Sequence, residues 1–210
     1  MKHPDRPLLV ALTGGIASGK TVVAKWFEEQ QLKVFYADKI GHALSHEQYI
    51  INRIKEIFGN KIVVNNIVDR NKLGEIVFNS ELKRKQLNEL LHPEILKKIF
   101  QIIRSSTEKI LIFEIPLLFE NDLQDSFDLT VNISVGKELQ IQRIMKRDKI
   151  SKIAAEKRID SQMSDIDKQE LADINLVNDA GFSDLISHLH ELYEYILRLK
   201  KKKNIKQLLN

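Results

Sequence analysis

Leu8-Leu9-Val10-Ala11-Leu12-Thr13-Gly14-Gly15-Ile16-Ala17-Ser18-Gly19-Lys20-Thr21 is the stretch on which the fold turns. The apolar run Leu8 to Leu12 reads as a buried strand. Gly14 to Thr21 then matches G-x-x-x-x-G-K-[ST] in full, and a helix follows from Lys20 with Val22, Val23, Trp26 and Phe27 on one face. The chemistry accounts for each position. Glycines let the backbone wind so that successive amide hydrogens face phosphate oxygens. The helix N-terminus adds unpaired amides and the positive end of the macrodipole. Lys20 brings a charge to β- and γ-phosphates, the Thr21 hydroxyl is a magnesium ligand, and the Val22 amide reaches an α-phosphate. The expected ligands are ATP and Mg2+.

Outward from the loop, strands and helices alternate. Lys33 to Tyr36, Ile110 to Ile115, Leu129 to Ile133 and Ile174 to Val177 read as further strands. Helices are expected over Gln48 to Phe58, Asn71 to Phe78, Ser80 to Leu91, Gly136 to Asp148 and Ser151 to Ser161. Pro93 suits the first position of a separate helix carrying Ile95, Leu96, Ile99, Phe100 and Ile103. Leu185, Leu189, Leu192, Ile196 and Leu199 recur at helical spacing in the last helix. Alternation of this kind predicts a parallel sheet covered on both faces. Gly41 to Ser106 is too long for one crossover helix, so part of it is expected to form a helical subdomain over the sheet edge.

The composition is that of a soluble globular protein of 210 residues without cysteine. Disulfides, thiolate catalysis and cysteine zinc sites are excluded, and a reducing, cytoplasmic setting is expected. No signal-peptide run or bilayer-spanning stretch is read in the chain. The formal net charge is +4, but six basic residues lie between Arg198 and Asn210 with no acid among them, and the rest of the chain carries −2. Basicity is therefore a feature of the tail, which argues against nucleic acid as the main partner.

Asp38 follows the second strand, and ligands in open parallel sheets sit beyond strand C-termini. It is either a carboxylate facing the phosphate crevice or the N-cap of a helix starting at Lys39. Glu114 ends an apolar strand and is either a magnesium-side carboxylate or a strand-end partner for a lysine. Arg143 and Arg147 share one helical face, opposite Ile141, Ile144 and Met145, with Arg158 on the next helix. They read as phosphate clamps on a mobile flap or as a solvated face. His42 and His46 have ligand spacing but lack a third partner, so surface histidines are expected. His92 precedes Pro93, which holds it extended.

Several separate segments together carry a family resemblance. They are Leu12 to Thr21, Ala37-Asp38, Leu91-His92-Pro93, Ile115-Pro116-Leu117-Leu118-Phe119-Glu120, Gln142-Arg143 with Arg147-Asp148, Arg158 with Gln162-Met163, and Ala172-Asp173 with Asn178. In this order and spacing the chain resembles the dephospho-CoA kinase family from Leu8 to about Leu199. The resemblance implies an α/β, P-loop kinase-like doubly wound parallel sheet with an inserted helical substrate subdomain and a helical lid. It implies a nucleotide-binding core over 1–40, 107–135 and 172–199, a coenzyme-binding subdomain over 41–106, a lid over 136–171 and a basic tail over 200–210. ATP would phosphorylate the ribose 3′-hydroxyl of dephospho-CoA, with Lys20, Asp38 as base and Arg147 as the catalytic residues. ATP would be held by Gly14, Gly15, Ile16, Ala17, Ser18, Gly19, Lys20, Thr21, Val22, Arg143, Arg147 and Asn178. The substrate would meet Asp38, His92, Glu114, Pro116, Leu117, Leu118, Arg158 and Gln162, and the metal Thr21, Glu114 and Asp38.

Three positions depart from the family pattern. Ala17 stands where glycine is usual, Glu114 where aspartate is usual, and Ala180 where glycine often follows the Asn178 segment. A monomer is expected, with no membrane partner. The rival readings are another small-molecule or nucleoside kinase of the same class, and an ATP-gated regulatory protein that binds nucleic acid through its basic tail.

Overall fold

The computed structural model describes residues 6–179 and 181–199. The basic tail and Ala180, both singled out in the sequence, lie outside the described residues. The described strands are β1 (Leu8–Thr13), β2 (Lys33–Tyr36), β3 (Val63–Val64), β4 (Ile67–Val68), β5 (Ile110–Glu114), β6 (Leu129–Ser134) and β7 (Ile174–Val177). The described α-helices are α1 (Lys20–Glu29), α2 (Ala37–Leu44), α3 (Gln48–Phe58), α4 (Arg70–Phe78), α5 (Glu81–Ser105), α6 (Lys137–Asp148), α7 (Lys152–Asp160), α8 (Asp165–Leu171) and α9 (Phe182–Arg198). The chain divides into two compact units. One holds residues 6–36 and 106–199, and the other is Ala37–Ser105.

In the first unit five strands form a parallel sheet in the order β2-β5-β1-β6-β7. All residues of β1 and β6 are buried: β1 is a nearly continuous apolar run, as strands covered on both faces are, while β6 alternates with buried Thr130, Asn132 and Ser134. Leu8, Val10 and Leu12 point to the face where α1 and α9 pack through Val23, Trp26, Phe27, Leu185, Leu189, Leu192 and Ile196. Phe27 is completely buried, a contribution of up to about 3 kcal/mol from its apolar surface alone. Val22 is the exception to the predicted inward face: it is 45% exposed, and Ala24 takes its place against the sheet. Parallel pairing, strand alternation and the loop after the first strand all follow the sequence expectation.

The second unit is mostly helical and has its own core of Ile50, Ile51, Ile54, Ile62, Val68 and Leu73. Asp69 Oδ1 accepts the amides of Asn71 and Lys72, which starts α4 at Arg70. Two corrections apply here. The first is a short antiparallel hairpin, β3–β4, closed by Asn65 and Asn66 at φ 51° and 62°. Positive φ at both turn positions suits the right-handed strand twist, and asparagine tolerates it. The second concerns Pro93, which lies inside the continuous helix α5 and does not begin a new one. The Glu89 carbonyl thereby loses its usual donor, a cost of about 3 kcal/mol. Apolar residues on both sides of the break, Leu87, Leu90 and Leu91 before it and buried Ile99 after it, hold the helix together. Among the described residues no helix is long and apolar enough to cross a membrane.

Candidate active site

β1 and β6 are neighbours in the sheet, yet the chain leaves them for opposite edges: β1 leads to β2 and β6 to β7. That is a switch point, the place where open parallel sheets hold ligands. The loop 14–19 occupies it. Gly14 has φ 141°, and a Cβ there would stand 2.2 Å from the Ile133 carbonyl oxygen of β6 and 2.8 Å from Ser18 Oγ. Gly19 has φ 102°, and a Cβ would stand 2.2 Å from Asn178 Nδ2. Both glycines are therefore required by fit and by backbone shape. Ala17 adopts φ 59° with its methyl in place. The left-handed conformation costs such a residue about 1 kcal/mol.

Lys20 is largely buried, and its ammonium donates to the carbonyls of Gly14 and Gly15 at 2.8 Å each. A fixed positive charge is thus stored inside the loop. The Thr21 hydroxyl donates to Glu114 Oε1 at 3.3 Å, and Glu114 is buried at the end of β5, paired in register with Leu12 and Tyr36. These are two hard oxygens beside a phosphate loop. Among the described residues no group of three or more His, Cys, Asp or Glu is gathered for a metal. A pair of oxygens still suits Mg2+, which keeps waters and takes substrate phosphates as ligands instead of needing an all-protein cage. Burial and a hydrogen bond with Glu28 push the Tyr36 hydroxyl up to about 12, with the charge of Glu114 adding to the effect.

The segment 136–171 surrounds the other side of the loop. Ile141 and Ile144 of α6 are buried with Ala155 of α7, and Ile16 and Ala17 pack against them. Arg143 donates to the Ala17 carbonyl (3.4 Å) and the Asn178 carbonyl (3.1 Å), and Asn178 Nδ2 donates to the Ser18 carbonyl at 2.8 Å. Arg147 lies four residues on but takes a different partner: its guanidinium grips Asp148 at 2.7 and 3.0 Å. Arg158 donates to the same carboxylate. Hydrogen bonds from Arg147 hold the Asp148 carboxyl below the usual range, and the Arg158 charge adds to this.

The remaining residues expected at the site have the following settings. Leu118, read as a substrate residue, is fully buried and its side chain belongs to the core. The Pro116 carbonyl accepts from Thr13 Oγ1 and Lys168 Nζ. Pro116 and Leu117 keep partial exposure. Gln162, read as a substrate residue, accepts the Ile16 amide at 2.9 Å. Asp38 and His92 belong to the second unit. Asp38 is in the first turn of α2, which starts at Ala37, so it is not the cap of a helix beginning at Lys39. His92 sits within α5, and burial lowers its pKa. The rings of His42 and His46 meet edge to face at 4.9 Å.

The sequence reading missed four contributors. Gln140, buried on α6, donates to the Ile16 carbonyl at 2.7 Å. Asp148 anchors two arginines. Lys168 is fully buried and pairs with Glu120 at 2.8 Å. Glu120 also accepts the Met163 amide at 3.1 Å. Asp148 and Glu120 both stood in segments that carry the resemblance, but with no role assigned to them. A lysine or glutamine in a polar helix reads as surface until its partner is known.

Comparison with known proteins agrees with this architecture. The sequence profile described as dephospho-CoA kinase matches residues 8–184. The dephospho-CoA kinase of Fusobacterium nucleatum is 37% identical over 190 residues, covering 90% of this chain and 98% of that protein. A solved structure of dephospho-CoA kinase from Campylobacter jejuni superposes with a TM-score of 0.66 at 32% identity, covering 90% of this chain and 96% of that one. A Thermus thermophilus crystal structure gives a TM-score of 0.78 at 26% identity, covering 91% of this chain and 98% of that one. A profile matched over most of the chain and a relative 37% identical along nearly its whole length leave one assignment: the chain belongs to the dephospho-CoA kinase family.

Proposed function

We propose that this chain transfers the γ-phosphoryl group of ATP to the ribose 3′-hydroxyl of dephospho-CoA, releasing ADP and coenzyme A. The observation that carries the reading is Lys20 and the Thr21–Glu114 pair at the sheet's switch point, in a member of this family. The loop amides and Lys20 hold the phosphates. Thr21 and Glu114 would hold Mg2+, which would supply positive charge to offset that of the phosphates. Asp38, two residues after β2 in the chain, accepts the proton of the attacking hydroxyl. Arg147 leaves Asp148 to stabilise the transferring phosphoryl group, and Arg143 and Asn178 line the ATP side. The segment 136–171 serves as lid, the second unit as coenzyme-binding subdomain, and the cytoplasm as the place of action. Such catalysis is mainly positioning and electrostatics.

The test is direct. The protein is incubated with ATP, magnesium and dephospho-CoA, and the products are read by mass. Coenzyme A with stoichiometric ADP is expected. ADP without that product, or efficient transfer to a nucleoside instead, sinks the proposal.

A further inference from the structure

Each carbonyl from Gly14 to Ser18 has a side-chain donor. Lys20 takes those of Gly14 and Gly15, Gln140 that of Ile16, Arg143 that of Ala17 and Asn178 that of Ser18. Within one planar peptide unit the C=O and the following N–H point opposite ways. Pinning the Ile16 and Ser18 carbonyls therefore sets the direction of the opposed Ala17 and Gly19 amides, the groups that would receive phosphate. Ile16 is held by side chains at both its backbone groups. Its C=O accepts from Gln140 Nε2 at 2.7 Å, and its N–H donates to Gln162 Oε1 at 2.9 Å.

Each glutamine is itself fixed. Gln140 is buried, and a Cβ on Gly15 would stand 2.8 Å from its Nε2, so Gly15 and Gln140 are matched in shape. Gln162 precedes Met163, whose amide donates to Glu120, and Glu120 pairs with fully buried Lys168. The backbone that carries Gln162 is thus tied to the loop following β5.

We propose that Gln140 and Gln162 are positioning residues for phosphoryl transfer, gripping Ile16 from both sides and setting the amide array that receives ATP. This rests on the reading that the loop holds ATP. It reassigns Gln162 from contact with substrate to orientation of the loop. It also gives the segment 136–171 a direct mechanical link to the phosphate site, because a shift of either glutamine drags Ile16.

The experiment compares the full-length parent with Gln162→Ala, Gln162→Glu and Gln140→Glu. ATP–magnesium binding is measured by calorimetry without acceptor, and KM for both substrates in turnover. Gln162→Ala leaves the Ile16 amide without its acceptor and should weaken ATP about ten-fold in both Kd and KM, with the dephospho-CoA KM unchanged. The two glutamates add the same charge but differ in chemistry. Gln162→Glu keeps an acceptor for the Ile16 N–H, whereas Gln140→Glu sets an acceptor against the Ile16 carbonyl. Gln140→Glu should therefore bind ATP about ten-fold more weakly than Gln162→Glu. If Gln140→Glu does not fold, Gln140→Met replaces it, with the same loss expected as for Gln162→Ala. A purely structural role would lower the melting temperature and leave the ATP-specific loss absent, which overturns the proposal. So does equal ATP affinity in the two glutamate variants. A parent that binds ATP but makes no coenzyme A refutes the functional reading alone, since the ATP affinities still judge the glutamines. A parent that binds no ATP refutes both.

Discussion

The Thr21 hydroxyl, at the head of α1, donates to the Glu114 carboxylate at the end of β5 across 3.3 Å. Two elements distant in sequence thus deliver two oxygens to one point beside the phosphate loop.

Glu114 and Asp38 are expected to fail in different ways. Glu114→Gln acts through the metal, so its turnover deficit should shrink as magnesium is raised. Asp38→Asn keeps the size and loses the base, with a loss of about 10²–10⁴-fold in turnover that magnesium does not restore. Turnover of both variants across a magnesium titration, with ATP binding in parallel, checks this. Rescue of Asp38→Asn but not Glu114→Gln would reverse the assignments.

Ala17→Gly should not weaken the protein. Relief of the left-handed alanine is worth about 1 kcal/mol, set against roughly 0.4–1 kcal/mol of extra unfolded-state entropy. The expected result is a melting temperature equal to the parent's or raised by about 2 °C. A clear fall in calorimetry would mean that the Ala17 methyl packs usefully against the α6–α7 core.

Asp148 predicts a pH signature. Its folded pKa is depressed, so its contribution to stability is present above its unfolded value, near ~3.9, and is lost as pH falls through the folded value. Asp148→Asn should therefore be less stable than the parent at about pH 6, with the gap closing on acidification below about pH 4. Urea midpoints measured across that range read the effect. A gap that stays constant into acid would show that the arginine contacts add nothing through charge.

Lys168 and Glu120 should show strong coupling. Lys168→Met leaves the Glu120 carboxylate without its buried partner and should cost about 3 kcal/mol or more. Adding Glu120→Gln removes the stranded charge and should recover part of that loss. A double-mutant cycle in denaturant gives the coupling directly. Additive losses would show that the two side chains act independently.

What the residues determined on their own was the local grammar. The motif from Gly14 to Thr21 stood out because each position has its own chemical reason, and the bounds of β2, β7 and α3 coincide with the runs read from sequence. Such runs are legible because alternation and helical spacing report which side of a short segment is buried, and nearest neighbours decide that. The hairpin at Asn65-Asn66 was equally local, since two asparagines between Val64 and Ile67 are a turn signal that the helical context obscured. Tertiary structure alone carried α5 through Pro93, because the apolar contacts holding that helix come from α3, α4 and their connections. It alone decided that Leu118 is core, that Arg143 and Arg147 part company, and that Gln162 serves the loop from 146 residues away. A polar side chain's role depends on which group satisfies it, and no periodicity encodes that choice. It is settled when the fold closes and each buried donor must find an acceptor.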